Sequence, residues 1–141
     1  MFSGSHPLTI DDKGRLAIPA RFRAQIATDC AGQLVITRVP AGVRLYPMPV
    51  FEHIAKNVIP AHPVIAQREV LRELFVGEAI NLDMDAQGRL LLPAAFRGEL
   101  GANAMLVGQV DCFALWSESA WAARKAESAP AYAEAFAALN L

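Results

Sequence analysis

Cysteine is scarce: only Cys30 and Cys112 occur in 141 residues, far apart and outside any Cys-x-x-Cys spacing. A disulfide framework and a zinc centre are therefore not supported, and both thiols read as small apolar core residues. Long hydrophobic runs are missing too, since stretches such as Leu90 to Phe96 fall far short of the roughly 18 residues of a membrane-spanning helix. The opening Met-Phe-Ser-Gly-Ser-His has neither the basic start nor the apolar run of an export signal, so a cytoplasmic address is expected. His6, His53 and His62 are scattered, without a His-Glu-x-x-His, a phosphate loop or a serine elbow. No enzyme activity, catalytic residue, metal, cofactor or small-molecule substrate is expected. An excess of positive charge is also absent: 13 Lys and Arg against 14 Asp and Glu leave a net charge of -1. That excludes nucleic-acid binding through a uniformly basic domain and confines it to local patches repeated across an assembly. What the chain does have is 54% hydrophobic residues, ample for a buried core.

It also has an internal repeat. The segment from Ile10 to Arg23 aligns without gaps on Met84 to Arg97 at an offset of 74, with 8 of 14 positions identical. The shared residues include Asp11 and Asp85, Gly14 and Gly88, Arg15 and Arg89, Pro19 and Pro93, Phe22 and Phe96, and Arg23 and Arg97. Downstream, Val43 to Tyr46 resembles Phe113 to Trp116, with Phe51 and Trp121 following at equal spacing. Two copies with so long a period do not make a solenoid; they suggest a fused, pseudo-twofold version of a symmetric dimer. The units are expected over residues 1–60 and 75–127, joined by a linking helix at 61–74 and followed by a C-terminal helix or tail at 128–141.

Within each unit, Leu8 to Ile10 and Leu16 to Ile18, like Ala79 to Leu82 and Leu90 to Leu92, read as short strands. Asp-x-x-Gly-Arg is the turn between them: Asp bonds nearby backbone amides, and Gly accepts the positive φ of a tight hairpin. Helices are predicted to begin at Pro19 and Pro93, with Phe22 and Ile26, and Phe96 and Leu100, on their inner faces. A second hairpin follows in each unit, Leu34 to Thr37 with Val43 to Tyr46, and Met105 to Val107 with Cys112 to Trp116. Further helices are expected over 49–58, 64–75 and 117–127. In the middle one, Val64, Val70, Leu71 and Leu74 form an apolar stripe opposite Arg68, Glu69, Arg72 and Glu73.

The doubled Asp-x-x-Gly-Arg-x-x-x-Pro, with Ala-x-Phe-Arg after each proline and Met-Phe-x-Gly at the start, resembles the MraZ family of two SpoVT-AbrB-type modules. The resemblance covers nearly the whole chain. It implies an α+β, β-rich fold, a pseudo-twofold swapped-hairpin β-barrel with short peripheral helices, assembled into a ring-shaped homo-oligomer. It further implies a bacterial, nucleoid-associated regulator of transcription, a repressor, bound to double-stranded DNA with short direct repeats upstream of the division and cell-wall gene cluster. Carried over by position, the DNA-facing pairs are Asp11 with Arg15 and Asp85 with Arg89. The second copy departs at Ala86-Gln87, where the first has Asp12-Lys13, so unequal contributions are expected.

An arginine just after a hairpin glycine projects from a two-stranded ribbon narrow enough for the major groove. Its guanidinium forks onto guanine or phosphate in a way lysine cannot reproduce. Arg15 and Arg89 are thus the expected readers, with Asp11, Asp85, Gly14 and Gly88 orienting them, and Lys13, Arg21, Arg23 and Arg97 the expected phosphate contacts. The segment from Asp11 to Arg23 carries four positive and two negative charges, a local excess that the whole chain lacks. The alternative is a ring-forming structural or protein-interaction protein in which these arginines only stabilise turns. Tyr46, Phe51, Trp116 and Trp121 are read as packing residues.

Overall fold

The computed structural model describes residues 1–141. The first half comprises β1 (Ser5–Thr9), β2 (Arg15–Ala17), α1 (Ala20–Cys30), β3 (Gln33–Val39), β4 (Gly42–Pro47) and α2 (Met48–His53). A π-helical turn, Ile54–Val58, and a 3-10 turn, Ile59–Ala61, extend α2. The connection contains α3 (Ile65–Leu71) and a second π turn, Arg72–Val76. The second half repeats the order with β5 (Ile80–Asp83), β6 (Arg89–Leu91), α4 (Ala94–Leu100), β7 (Asn103–Gly108), β8 (Phe113–Ser117) and α5 (Glu118–Ala138).

The halves are interleaved. Six strands form one sheet in the order β1-β7-β8-β4-β3-β5, and β2 pairs with β6 in a separate ribbon. Each half's first strand thus crosses to the other half, β1 onto β7 and β5 onto β3, every pair antiparallel. The order reads the same from both ends once the halves are exchanged, as a pseudo-twofold arrangement requires. The α+β, β-rich class is what the sequence led us to expect, but the closed barrel is not formed. The six-stranded sheet ends at β1 and β5, and β2 meets β1 only through the turn, where the Asp11 N–H donates to the Arg15 carbonyl at 3.0 Å. Gly14 and Gly88, at φ +83° and +77°, redirect the chain after that single bond, so no ladder closes the circle.

The larger of two hydrophobic clusters serves both halves. Its 20 residues include Leu16, Ile18, Phe22 and Ile26 from the first copy and Leu90, Leu92, Phe96 and Leu100 from the second. The inner faces assigned to α1 and α4 are therefore buried as predicted. Pro19 and Pro93 stand one residue ahead of these helices rather than inside them, in extended conformation at ψ 136° and 145°. Their ring fixes φ without committing the residue to the helix. Both cysteines are buried free thiols, and burial pushes Cys112 up to about 11.

Two helices differ from expectation. The stripe of the linking helix is not covered by its own chain: Val64, Val70, Leu71 and Leu74 are all exposed. At the C-terminus, the segments expected separately form one 21-residue helix, capped where the Ala120 N–H donates to Ser117 Oγ and continuing through Pro130. Pro130 withholds one amide, but α5 buries no residue, so the carbonyl left free lies open to solvent.

Candidate nucleic-acid interface

The β2/β6 ribbon places both motif arginines on one face. Arg15 lies opposite Leu91, Leu16 opposite Leu90, and Ala17 opposite Arg89. Side chains alternate along a strand, and residues directly opposite share a face. The inner face carries Leu16 and Leu90, buried to 1% and 0% exposure. Arg15, Ala17, Arg89 and Leu91 therefore share the outer face. The pairing continues at each end, where the Ile18 N–H donates to the Gly88 carbonyl and the Leu92 N–H to the Gly14 carbonyl, both at 2.8 Å. The arginines sit diagonally, two residues apart along the ribbon, or about 7 Å.

Each arginine is held by its own aspartate. Asp11 Oδ2 accepts from Arg15 Nε at 2.8 Å, while Oδ1 accepts the backbone amides of Lys13 and Arg15 at 3.0 and 2.8 Å. Asp85 repeats this with Arg89 Nε at 2.9 Å and the amides of Gln87 and Arg89 at 2.9 and 2.8 Å. Of each guanidinium's five donors only Nε is engaged, so the Nη edge of both arginines stays uncommitted. The arginine backbone amide is the main reason that each aspartate titrates below the ordinary 3.8; desolvation opposes it, and the guanidinium bond, its charge and the Lys13 or Gln87 amide add to the lowering.

A carboxylate with a lowered folded value stabilises the turn fully above its unfolded value and loses that contribution as pH falls through the folded one. The latch is thus intact at neutral pH and releases only in acid. Carboxyl NMR titrations are expected to give midpoints below 3.8 for Asp11 and Asp85, with the Lys13 and Arg15 amide shifts moving in step. Midpoints at or above 3.8 would contradict the latch.

Arg23 and Arg97 occupy a different place from Arg15 and Arg89. Arg23 Nε donates to the Ile18 carbonyl at 2.7 Å and Arg97 Nε to the Leu92 carbonyl at 2.9 Å. Each guanidinium then fills the space a β-carbon would take on the other half's turn glycine, Arg97 at Gly14 and Arg23 at Gly88. The two turns are therefore composite, each motif arginine standing beside an arginine from the opposite half. Lys13 is exposed at its turn, and Arg21 is exposed on α1 with its guanidinium over the Phe22 ring. Sequence reasoning missed Ala17 and Leu91, the latter 57% exposed between the arginines. Alternation with Leu16 and Leu90 carried the signal, but the run Leu90-Leu91-Leu92 masks it as continuous core.

Comparison with known proteins finds matches across both halves of the chain. A family model described as MraZ protein, antitoxin-like, matches residues 1–71 and 75–139. A relative in Pseudomonas aeruginosa called transcriptional regulator MraZ is 39% identical over 125 residues, covering 86% of this chain and 83% of its own length. The protein of that name in Nitrosospira multiformis is 40% identical over 124 residues, covering 86% and 84%. That in Alcanivorax borkumensis is 40% identical over 126 residues, covering 86% of each.

Proposed function

The chain belongs to the MraZ family, and on that premise we propose that it is a DNA-binding transcriptional regulator that reads duplex DNA with the outer face of the β2/β6 ribbon. The observation that carries this reading is the pair of arginines latched through Nε, which leaves two rigid Nη forks pointing from a ribbon of major-groove width. Arg15 and Arg89 take guanine edges about two base-pair steps apart, Leu91 and Ala17 meet thymine methyls between them, and Lys13 and Arg21 take phosphates. Arg23 and Arg97 support the turns and offer their outer nitrogens to the backbone. Asp11, Asp85, Gly14 and Gly88 fix the geometry.

Lys13 at one end of the ribbon and Gln87 at the other give it a direction, which suits a target of short direct repeats. The uncovered stripe on α3 is where a second copy packs, and a ring of ribbons facing repeated boxes gains affinity by effective concentration from weak single contacts. In this reading the protein is a cytoplasmic, nucleoid-associated repressor of the division and cell-wall gene cluster. The turn-only alternative draws on the same latch, but it gives no reason for two arginines and an exposed leucine on one face.

Selection of bound duplexes from random DNA is expected to enrich a short box with guanines spaced by the ribbon's arginines, bound in a strongly salt-dependent way. Salt-sensitive binding without sequence preference would reduce the ribbon to a phosphate contact. Absence of binding would favour the interaction-protein reading.

A further inference from the structure

The pseudo-twofold relation exposes a difference between the halves. In the first, Tyr46 on β4 and Phe51 on α2 are covered by Phe75 from the connection, which stacks on Phe51 at 5.3 Å and meets Tyr46 edge-on at 5.6 Å. Thr37 Oγ1 pins it in place by donating to the Phe75 carbonyl at 2.7 Å. In the second half the corresponding residues are Trp116 on β8 and Trp121 on α5, with ring centroids 5.9 Å apart. No third ring stacks on them, because α5 continues as one helix to Ala138 rather than folding back. The result is a cleft of about 560 Å³ between α5 and the β3–β4 and β7–β8 turns.

Its lining has a definite chemistry. Trp116, Trp121 and Tyr132 give aromatic surface; Arg44, Arg124 and Lys125 give positive charge, Lys125 lying 6.0 Å over the Trp121 ring. None of the ten lining residues is acidic, in a chain whose net charge is -1. Three cations suit more than one negative charge, and an indole pair whose twin is capped by an aromatic side chain suits a planar ring. The volume lies within the ordinary range for small-molecule sites. We propose that this cleft binds a nucleoside di- or triphosphate, the base against Trp116 and Trp121 and the phosphates on Arg44, Arg124 and Lys125. The nucleotide is a ligand and is not turned over, and the site is separate from the β2/β6 ribbon.

The protein's only two tryptophans both line the cleft, so their fluorescence reports on it directly. Titration of the full-length protein with ATP and with GTP, excited at the red edge of the indole band, is expected to give saturable quenching. Adenosine alone and pyrophosphate alone should each bind at least tenfold more weakly. Arg124→Glu combined with Lys125→Glu, both exposed helix positions, should weaken nucleotide binding at least tenfold with the circular dichroism spectrum unchanged. Arg15→Ala with Arg89→Ala should leave nucleotide binding as it is, which separates this site from the DNA face. The proposal is overturned if quenching is not saturable up to low millimolar nucleotide, if the charge-reversal variant binds as well as the parent, or if the ribbon variant alone abolishes binding. Emission that shifts with protein concentration in the absence of nucleotide would overturn it too, by showing the cleft filled by a second copy.

Discussion

Replacing Arg15 and Arg89 together by alanine is expected to weaken binding to a selected duplex about a thousandfold while leaving the protein folded. A forked contact to a base edge is worth on the order of 1–3 kcal/mol, so two of them lost together cost about 4 kcal/mol. Each arginine is latched to its own aspartate, so the two losses combine as independent ones. The fold should survive because both side chains lie on the outer face, more than a third exposed. The strands beneath are held by Leu16, Ile18, Leu90 and Leu92 in the common core. Removing the guanidinium also leaves Asp11 and Asp85 their two backbone amides each, so the turns persist. Arg15→Lys separates the two kinds of contact. Lysine keeps a phosphate interaction but not the fork, so sequence preference should relax more than affinity falls. Electrophoretic mobility or fluorescence anisotropy on the selected box and on scrambled duplex decides the matter. A double variant that binds the box as tightly as the parent removes the ribbon from the interface.

Much of this arrangement is legible in the sequence because it is local. The turn chemistry of Asp-x-x-Gly-Arg and the four-residue spacing of Phe22 with Ile26 and Phe96 with Leu100 are set by residues close in the chain, and the structure has them; the helices expected to begin at Pro19 and Pro93 begin one residue later. Partner choice is not local. Nothing in Leu8 or Ile80 says that β1 pairs with β7 and β5 with β3, since any half-buried strand offers the same hydrogen bonds. The same holds for β2 with β6, and that pairing brings Arg15 and Arg89 onto one surface instead of two separate tips. Charge alone groups Arg23 and Arg97 with the phosphate contacts, yet their placement against Gly88 and Gly14 depends on the crossing of the halves. The barrel expected from family resemblance depends on ladder closure, and the positive-φ turns leave that closure unmade.

The crossing of the halves can be tested through its smallest residues. Gly14→Ala and Gly88→Ala are each expected to destabilise the protein by about 3 kcal/mol, from two separable causes. A left-handed backbone, at φ +83° and +77°, costs an alanine roughly 1–2 kcal/mol. The added methyl also overlaps the guanidinium of Arg97 or Arg23, and that arginine must leave the carbonyl it bonds, Leu92 or Ile18, at a further cost of about 1–2 kcal/mol. Removing the arginine first isolates the backbone cost: in an Arg97→Ala background, Gly14→Ala should lose only the conformational part, giving a coupling of about 1–2 kcal/mol across the cycle. Urea unfolding at unchanged slope measures each corner. Gly14 and Arg97 are far apart in sequence and belong to different halves, so a coupling of this size requires that each Asp-x-x-Gly-Arg turn be built by both. Strict additivity of the two substitutions would mean that Arg97 does not rest on Gly14, and the composite turn would have to be abandoned.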